Sequence, residues 1–241
     1  MSSKRLTQIE LPKDFKLSKR FSVIEKLGEG WEGEVYLIQE AHTGIERVAK
    51  VFFPHRNQKN KAARFYAQKL HKLRNCSILI HYLLQDQFRY KGHNLTYLIS
   101  DFIEGETLDA FINRQPGKRL HFFQALHLLH ALAKGLEEIH LSNEYHGDLH
   151  QENIIVQRTG LGFDLKVLDF YQWGKASAEN KFHDVTSLIR IFYDSIGGAH
   201  FYPNQPSPVK EICCGLKKTL IRKKYKTASQ LRIFLENLEW E

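Results

Sequence analysis

The spacing of apolar residues changes once along this 241-residue chain, and that change limits the possible folds more than any other feature. Over residues 21–53 the period is two. In GEVYLIQ, Val35 and Leu37 alternate with Tyr36 and Ile38, and the turn His42-Thr43-Gly44 leads on into RVAKVFF. Alternation sends successive side chains to opposite faces of a strand, so this region reads as paired strands. Residues 60–74 (NKAARFYAQKLHKLR) read as one helix, with Phe65, Leu70 and Leu73 toward the sheet. A second hairpin follows, LLQDQFRY and LTYLISDF, joined by Lys91-Gly92-His93-Asn94. Beyond Glu104-Gly105 the period becomes helical. Leu126, Leu129, Leu132, Leu136 and Ile139 recur at steps of three and four within HFFQALHLLHALAKGLEEIHL, one apolar stripe. The runs ENIIVQ and LKVLDFY read as short buried strands, and a helix is expected from Asp184 to about Ser195. The last helix opens on Thr227-Ala228-Ser229-Gln230, a capping box, and buries Leu231, Phe234, Leu235 and Leu238.

The expected fold is α+β and bilobal: a small antiparallel β lobe with one inserted helix, then a mainly helical lobe. Three segments follow: an N-terminal arm at 1–20, polar, basic and loosely packed; the β lobe at 21–104; the helical lobe at 105–241.

Hydrophobic residues make up 42% of the chain and aromatics 12%, which excludes disorder and fibrous repeats. No stretch approaches the roughly 18 uncharged apolar residues of a membrane span, and the first twenty residues lack the apolar core of a secretory signal. Three cysteines (Cys76, Cys213, Cys214) make no disulfide framework and have no zinc spacing, which fits inert thiols in a reducing cytosol. The formal charge is +8, and the excess is local. Residues 47–85 contain no Asp or Glu against nine Lys or Arg, and Lys217, Lys218, Arg222, Lys223, Lys224 and Lys226 form a second run. Such patches can attract nucleic acid, anionic lipid or an acidic protein; with no aromatic-interleaved nucleic-acid motif, a solvated basic face is the stronger expectation.

Four segments carry chemistry, and their order matters more than any one of them. Gly28-Glu29-Gly30-Trp31-Glu32-Gly33-Glu34-Val35 lies between two predicted strands, where glycines let backbone amides approach phosphate oxygens. Because it joins strand to strand, a dinucleotide-binding βα turn is disfavoured. Val48-Ala49-Lys50 puts a lysine in an apolar strand; pointing inward it meets α/β phosphates, pointing outward it is a surface residue. In Tyr145-His146-Gly147-Asp148-Leu149-His150-Gln151-Glu152-Asn153, Asp148 can accept the proton of an attacking hydroxyl while Asn153, five residues on, holds a metal. In Leu168-Asp169-Phe170-Tyr171, Asp169 at a strand end can chelate Mg²⁺ bridging phosphates.

In that order, these segments resemble the protein kinase superfamily from about Phe21 to the end of the chain. The resemblance implies ATP and Mg²⁺ as cofactors, with Gly28, Gly30, Gly33, Val35 and Lys50 toward the nucleotide. Leu98-Ile99-Ser100-Asp101-Phe102-Ile103-Glu104-Gly105 looks like the family's hinge, with Ser100 at the gatekeeper place and Asp101 and Ile103 where backbone groups receive adenine. Ile155, just past the catalytic loop, joins the nucleotide-binding set. Asp148, His150, Asn153 and Lys50 are implied as catalytic, Asn153 and Asp169 as metal ligands. Asp184-Val185-Thr186-Ser187-Leu188 resembles the start of the central helix whose Asp supports the catalytic loop.

The departures are more informative than the matches. The helix after Lys50 normally supplies a glutamate to that lysine; here the equivalent position is Tyr66, with Gln68 the nearest polar residue. Lys50 is therefore expected to be held by Asp169, by Gln68 or by the nucleotide. The loop reads His-Gly-Asp, without the arginine that receives an activation-loop phosphate, and His150 replaces the lysine that contacts the γ-phosphate. Tyr171 replaces the glycine of the metal turn, twelve residues separate it from Asp184, and no Ala-Pro-Glu anchor is present. Such a trimmed lobe resembles compact bacterial and secreted effector kinases, which implies a cytoplasmic setting or delivery into a host cell. His127 and His130 lack a third ligand and read as helix-face polar residues. Trp173 reads as packed, and Ser177 as any exposed loop serine.

The leading expectation is ATP- and Mg²⁺-dependent transfer to Ser or Thr of a protein, independent of loop phosphorylation, with an acidic partner docking on the basic face of the β lobe. The alternatives are a small-molecule kinase of the aminoglycoside or choline type, favoured by HGDLH, and a pseudokinase-like binding module, favoured by the missing helix glutamate.

Overall fold

The computed structural model describes residues 6–160, 162–171 and 174–238; Trp173 lies outside them. The chain divides into two compact units, residues 1–74 with 80–103 and residues 75–79 with 104–241.

In the first unit five antiparallel strands, β1 (Phe21–Glu29), β2 (Gly33–Glu40), β3 (Glu46–Phe52), β4 (Tyr82–Tyr90) and β5 (His93–Asp101), form one sheet in the order β1-β2-β3-β5-β4. The helix α1 (Lys61–Lys72) is inserted between β3 and β4. The two faces of β3 separate by alternation. Ala49 and Val51 are fully buried in the core, whereas Val48 and Lys50 are half-buried on the other side. In α1 the buried aromatic is Tyr66 rather than Phe65, which is half-buried; Leu70 and the following Leu73 are buried as the spacing predicts, and Gln68 is exposed.

The arm is a correction. Residues 6–20 are expected from their composition to be loosely packed, yet Ile9, Leu11 and Leu17 lie in the core with Tyr36, Ile38, Tyr97 and Ile99. The basic residues around them mask pairs spaced by two, Ile9/Leu11 and Phe15/Leu17, that complete an otherwise bare sheet face. Each fully buried large side chain contributes about 1.5–3 kcal/mol. Backbone bonds fasten the segment to β1, Asp14 N–H to Val23 O at 2.8 Å and Val23 N–H to Phe15 O at 2.9 Å. The Ile9 and Glu10 amides donate to the buried Glu34 carboxylate at 2.8 and 3.0 Å.

In the second unit β6 (Glu106–Thr107), β7 (Ile154–Thr159) and β8 (Gly162–Val167) make a small antiparallel sheet. Around it are α2 (Leu108–Asn113), α3 (Phe122–Leu141), α4 (Ala178–Ser195), α5 (Gly198–Phe201), α6 (Ser207–Cys213), α7 (Lys218–Lys224) and α8 (Ala228–Glu236). A capping box of His121 and Gln124 starts α3, whose buried stripe contains Leu126, Leu129, Leu132, Leu136 and Ile139. Residues 75–79, expected within the β lobe, belong to this unit instead. Val167 N–H donates to Ile78 O and Ser77 N–H to Glu138, both at 2.8 Å, while a Cβ at Gly135 would lie 2.4 Å from Ile78. Glu104 belongs here too. Helix α4 begins at Ala178, six residues before the expected start, because Ser177 caps it by accepting Asn180 N–H at 3.1 Å. Thr227 caps α8 in the same way.

Candidate functional site

In the first unit the turn between β1 and β2 carries the three glycines, and only one of them is demanded by the protein's own packing. A Cβ at Gly33 would lie 2.0 Å from Val51 O, whereas Gly28 and Gly30 have nothing within 4 Å. Gly33 pairs with Phe52 and Val35 with Lys50 in the β2–β3 ladder, so the turn and the lysine are fixed in one register.

Lys50 is 16% exposed at its side chain, and two residues of its own unit contact its ammonium. The Glu32 carboxylate lies 3.1 Å from Nζ, the Tyr66 hydroxyl 3.2 Å, and the Tyr66 ring centre 4.2 Å. This corrects the expectation that Gln68 could hold it, since Gln68 is exposed. Glu32 is the contact of Lys50 that the sequence reading misses. The signal is present: an acid-free stretch from 47 to 85 points to a carboxylate from elsewhere, and GEGWEGEV contains three, two of them flanking its third glycine. At the hinge-like segment, Asp101 N–H donates to His81 O at 3.2 Å, and the Asp101 side chain is taken by Arg47 and by His81 Nδ1 at 3.1 Å. Ile103, half-buried, ends the unit.

In the second unit one buried carboxylate organises the catalytic-loop segment. Asp184, on α4 and without solvent exposure, accepts His146 N–H at 2.7 Å and Gly147 N–H at 2.8 Å, and meets His140 Nε2 at 3.1 Å. Burial pushes its carboxyl up, but the His140 hydrogen bond, the nearby His146 and the two amides outweigh that and hold it below the usual aspartate range. Gly147 has φ +86°, a conformation suited to glycine, which turns the chain so that both amides face α4. The His146 ring is buried. Its Nε2 donates to Leu168 O at 2.7 Å and its Nδ1 accepts Asp148 N–H at 3.2 Å.

These bonds present the chemistry-bearing side chains outward. Asp148 is 56% exposed, with His150 Nε2 3.8 Å from its carboxylate. Asn153 Nδ2 donates to Asp148 O at 2.9 Å, which turns the amide oxygen away from the loop backbone. Leu168 N–H donates to Asn153 O at 2.8 Å, so Asp169, exposed at φ +53°, directly follows the residue that touches Asn153. Phe170 is buried against His146 with ring centres 4.9 Å apart, and Tyr171 N–H donates to His146 O at 3.0 Å. An amide oxygen and a carboxylate are hard oxygen donors of the kind Mg²⁺ takes, so Asn153 and Asp169 fit that ion. Ile155, half-buried on β7, lies beside Gly105, where a Cβ would stand 2.9 Å from its Cγ2. Of the two histidines on α3, His130 pairs with Glu236 of α8 at 3.0 Å and His127 packs edge-on to Phe123.

Comparison with known proteins adds a family. Residues 21–195 match the protein kinase domain. The serine/threonine-protein kinase pkn2 of Myxococcus xanthus is 32% identical over 162 residues, covering 66% of this chain and 19% of its own. Calcium-dependent protein kinase 4 of Plasmodium falciparum is 28% identical over 156 residues, covering 64% of this chain and 28% of its own. The chain thus spans about a fifth to a little over a quarter of the length of these curated relatives. Among solved structures, the PknI kinase domain of Mycobacterium tuberculosis superposes with a TM-score of 0.63 at 16% identity, covering 94% of this chain and 98% of that one. At that identity the likeness concerns the fold.

Proposed function

The chain belongs to the protein kinase family, and from that premise we propose that it catalyses ATP- and Mg²⁺-dependent phosphoryl transfer to Ser or Thr hydroxyls of a protein. The observation that carries the reading is the catalytic loop pinned by Asp184, which presents Asp148 to solvent beside Asn153 and Asp169. In this reading Asp148 orients the attacking hydroxyl and accepts its proton, and His150 stands beside it toward the phosphate. Asn153 and Asp169 hold Mg²⁺, which supplies neutralisation of phosphate charge. In the other unit, Gly28 and Gly30 leave open space for phosphate oxygens, Lys50 meets the α/β phosphates, and Val35 packs on the base. In that same unit the backbone groups of Asp101 and Ile103 receive adenine; in the second unit, Ile155 of β7 is assigned to the nucleotide.

Independence from loop phosphorylation is part of the proposal. Only residues 170–177 separate Asp169 from α4, and Gly147 stands where an arginine receiver would be. The same short run favours a second reading, transfer to the hydroxyl of a small molecule, because little chain remains on which to lay a peptide. A third, binding without transfer, draws on the acid-free α1. An acidic protein partner is proposed for the exposed Lys59, Lys61 and Arg64; Lys69 and Arg56 are not part of that face, the first being buried and the second stacked on Trp31. The three free thiols favour a reducing, cytosolic setting, either in the producing cell or in a host.

The test is transfer from labelled ATP to generic proteins and, separately, to amino-alcohol acceptors. Wild type is expected to label protein, Asp148→Ala to label nothing, and Asp169→Ala to lose the Mg²⁺-dependent rise in melting temperature with ATP. Labelling of the alcohols alone selects the second reading, and an Asp148→Ala protein as active as wild type removes the assigned base. Reversing Lys59, Lys61 and Arg64 to Glu tests the basic face: binding of a polyglutamate probe should weaken and lose its salt dependence.

A further inference from the structure

We infer that Glu32, in the glycine-rich turn, positions Lys50, contributing the carboxylate that α1 lacks. The inference rests on the kinase reading above. Helix α1 offers Lys50 a tyrosine where a carboxylate is usual, and no acid occurs from residue 47 to residue 85. A lysine at 16% exposure needs a partner of opposite charge to stay ionised and oriented. Glu32 supplies it at 3.1 Å.

The carboxylate is held there by the surrounding structure. Glu32 O accepts Phe53 N–H at 2.9 Å, which ties the turn to the end of β3. Gly30 N–H closes the turn on Gly33 O, also at 2.9 Å. On one side of Glu32, Gly33 is pressed so closely on Val51 that no side chain fits; on the other, the Trp31 ring lies 3.6 Å from the Arg56 guanidinium. The neighbouring acid, Glu34, is committed elsewhere, to the Ile9 and Glu10 amides. The turn therefore delivers one carboxylate to Lys50 and one to the N-terminal segment.

Tyr66 completes the arrangement. Its ring centre lies 4.2 Å from Nζ and its hydroxyl 3.2 Å, so the ammonium meets both an aromatic face and a carboxylate. Glu32 acts through Lys50 and is a positioning residue. An alternative role has the opposite sign: a carboxylate on Lys50 could simply occupy the place of a phosphate and oppose nucleotide binding. The fixed backbone on both sides of Glu32 favours positioning, and the two roles separate in kinetics.

Glu32→Gln is compared with wild type and Asp148→Ala for kcat, for the KM of ATP and for melting temperature. The expected result is a fall in kcat of about tenfold or more, the effect of losing a charged hydrogen bond, with no rise in the KM for ATP. The double variant Glu32→Gln/Tyr66→Glu, which returns a carboxylate from α1, is expected to recover most of the loss. An unchanged or raised kcat in Glu32→Gln overturns the inference and leaves the kinase reading standing, as does a folded double variant that recovers nothing. If the double variant does not fold, the single variant decides alone. A wild type that transfers no phosphate overturns the kinase reading, and this inference with it.

Discussion

Glu34 makes the N-terminal segment part of the first unit, and replacing it by glutamine measures how much. Both carboxylate oxygens are used: Oε1 by Ile9 N–H, and Oε2 by Glu10 N–H, the Tyr36 hydroxyl and Lys26 Nζ at 3.4 Å. Glutamine keeps one acceptor and turns an NH₂ toward a backbone N–H, so one buried donor faces another. Hydrogen bonds to a charged group are worth about 1.5–3 kcal/mol, and a stranded buried donor costs about 1–3 kcal/mol more, so a loss of about 3 kcal/mol is expected. For a chain of this size that lowers the melting temperature by roughly 6–12 °C. The pH dependence has a definite sign. Burial pushes the Glu34 carboxyl up, but the Ile9 amide, the Tyr36 hydroxyl and the Glu10 amide hold it below the usual glutamate range. Its contribution is therefore complete above the unfolded value of about 4.3 and is lost as the pH falls through the lower folded value. Urea unfolding followed by circular dichroism should show a wild-type advantage that is constant from neutral pH down to about 5 and shrinks below about 4. Coincident midpoints at neutral pH, or an advantage that grows with acid, would refute the reasoning.

The glycines of the turn should separate by role. Gly33→Ala meets Val51 O at 2.0 Å and should destabilise by about 1–3 kcal/mol or more in a melting experiment. Gly30→Ala has no protein atom within 4 Å and should keep the melting temperature while weakening the response to Mg²⁺ and ATP. Ser177→Ala removes the cap of α4 and should cost about 1 kcal/mol without changing turnover. Loss of turnover in a folded Ser177→Ala protein would instead mark the serine as a phosphorylation switch.

How much is legible in the sequence follows from how local each determinant is. Strand alternation and the leucine stripe of α3 depend on neighbours along the chain, and both elements stand where the pattern puts them. The start of α4 departs from expectation because its cap, Ser177, looks in the sequence like any exposed loop serine. The arm departs because lysines dominate its composition, while its packing depends on Ile9 and Leu11 finding a distant sheet face. The same limit applies to Lys50. That a partner is missing from α1 can be counted in the sequence, but Glu32 reaches the lysine only through the β2–β3 register, and pairing register is a tertiary property.

The same contacts bear on control. In this chain the carboxylate on Lys50 comes from a turn whose two flanking strands are hydrogen-bonded to each other, and the carboxylate under the catalytic loop comes from a helix capped by its own preceding serine. Neither has to be brought in by a moving segment. The Asp148 loop is fixed by backbone amides on Asp184 and by a histidine whose two nitrogens are both engaged. A phosphate added at Ser177 would meet the N-terminal end of α4, where it is favoured by the helix dipole, but it would tighten a cap that already exists. An ordering switch needs a segment with two arrangements, and residues 174–177 lead straight into the helix that carries Asp184. On the proposed function, control falls to surfaces rather than to the loop, and the charge reversal of the exposed Lys59, Lys61 and Arg64 tests that.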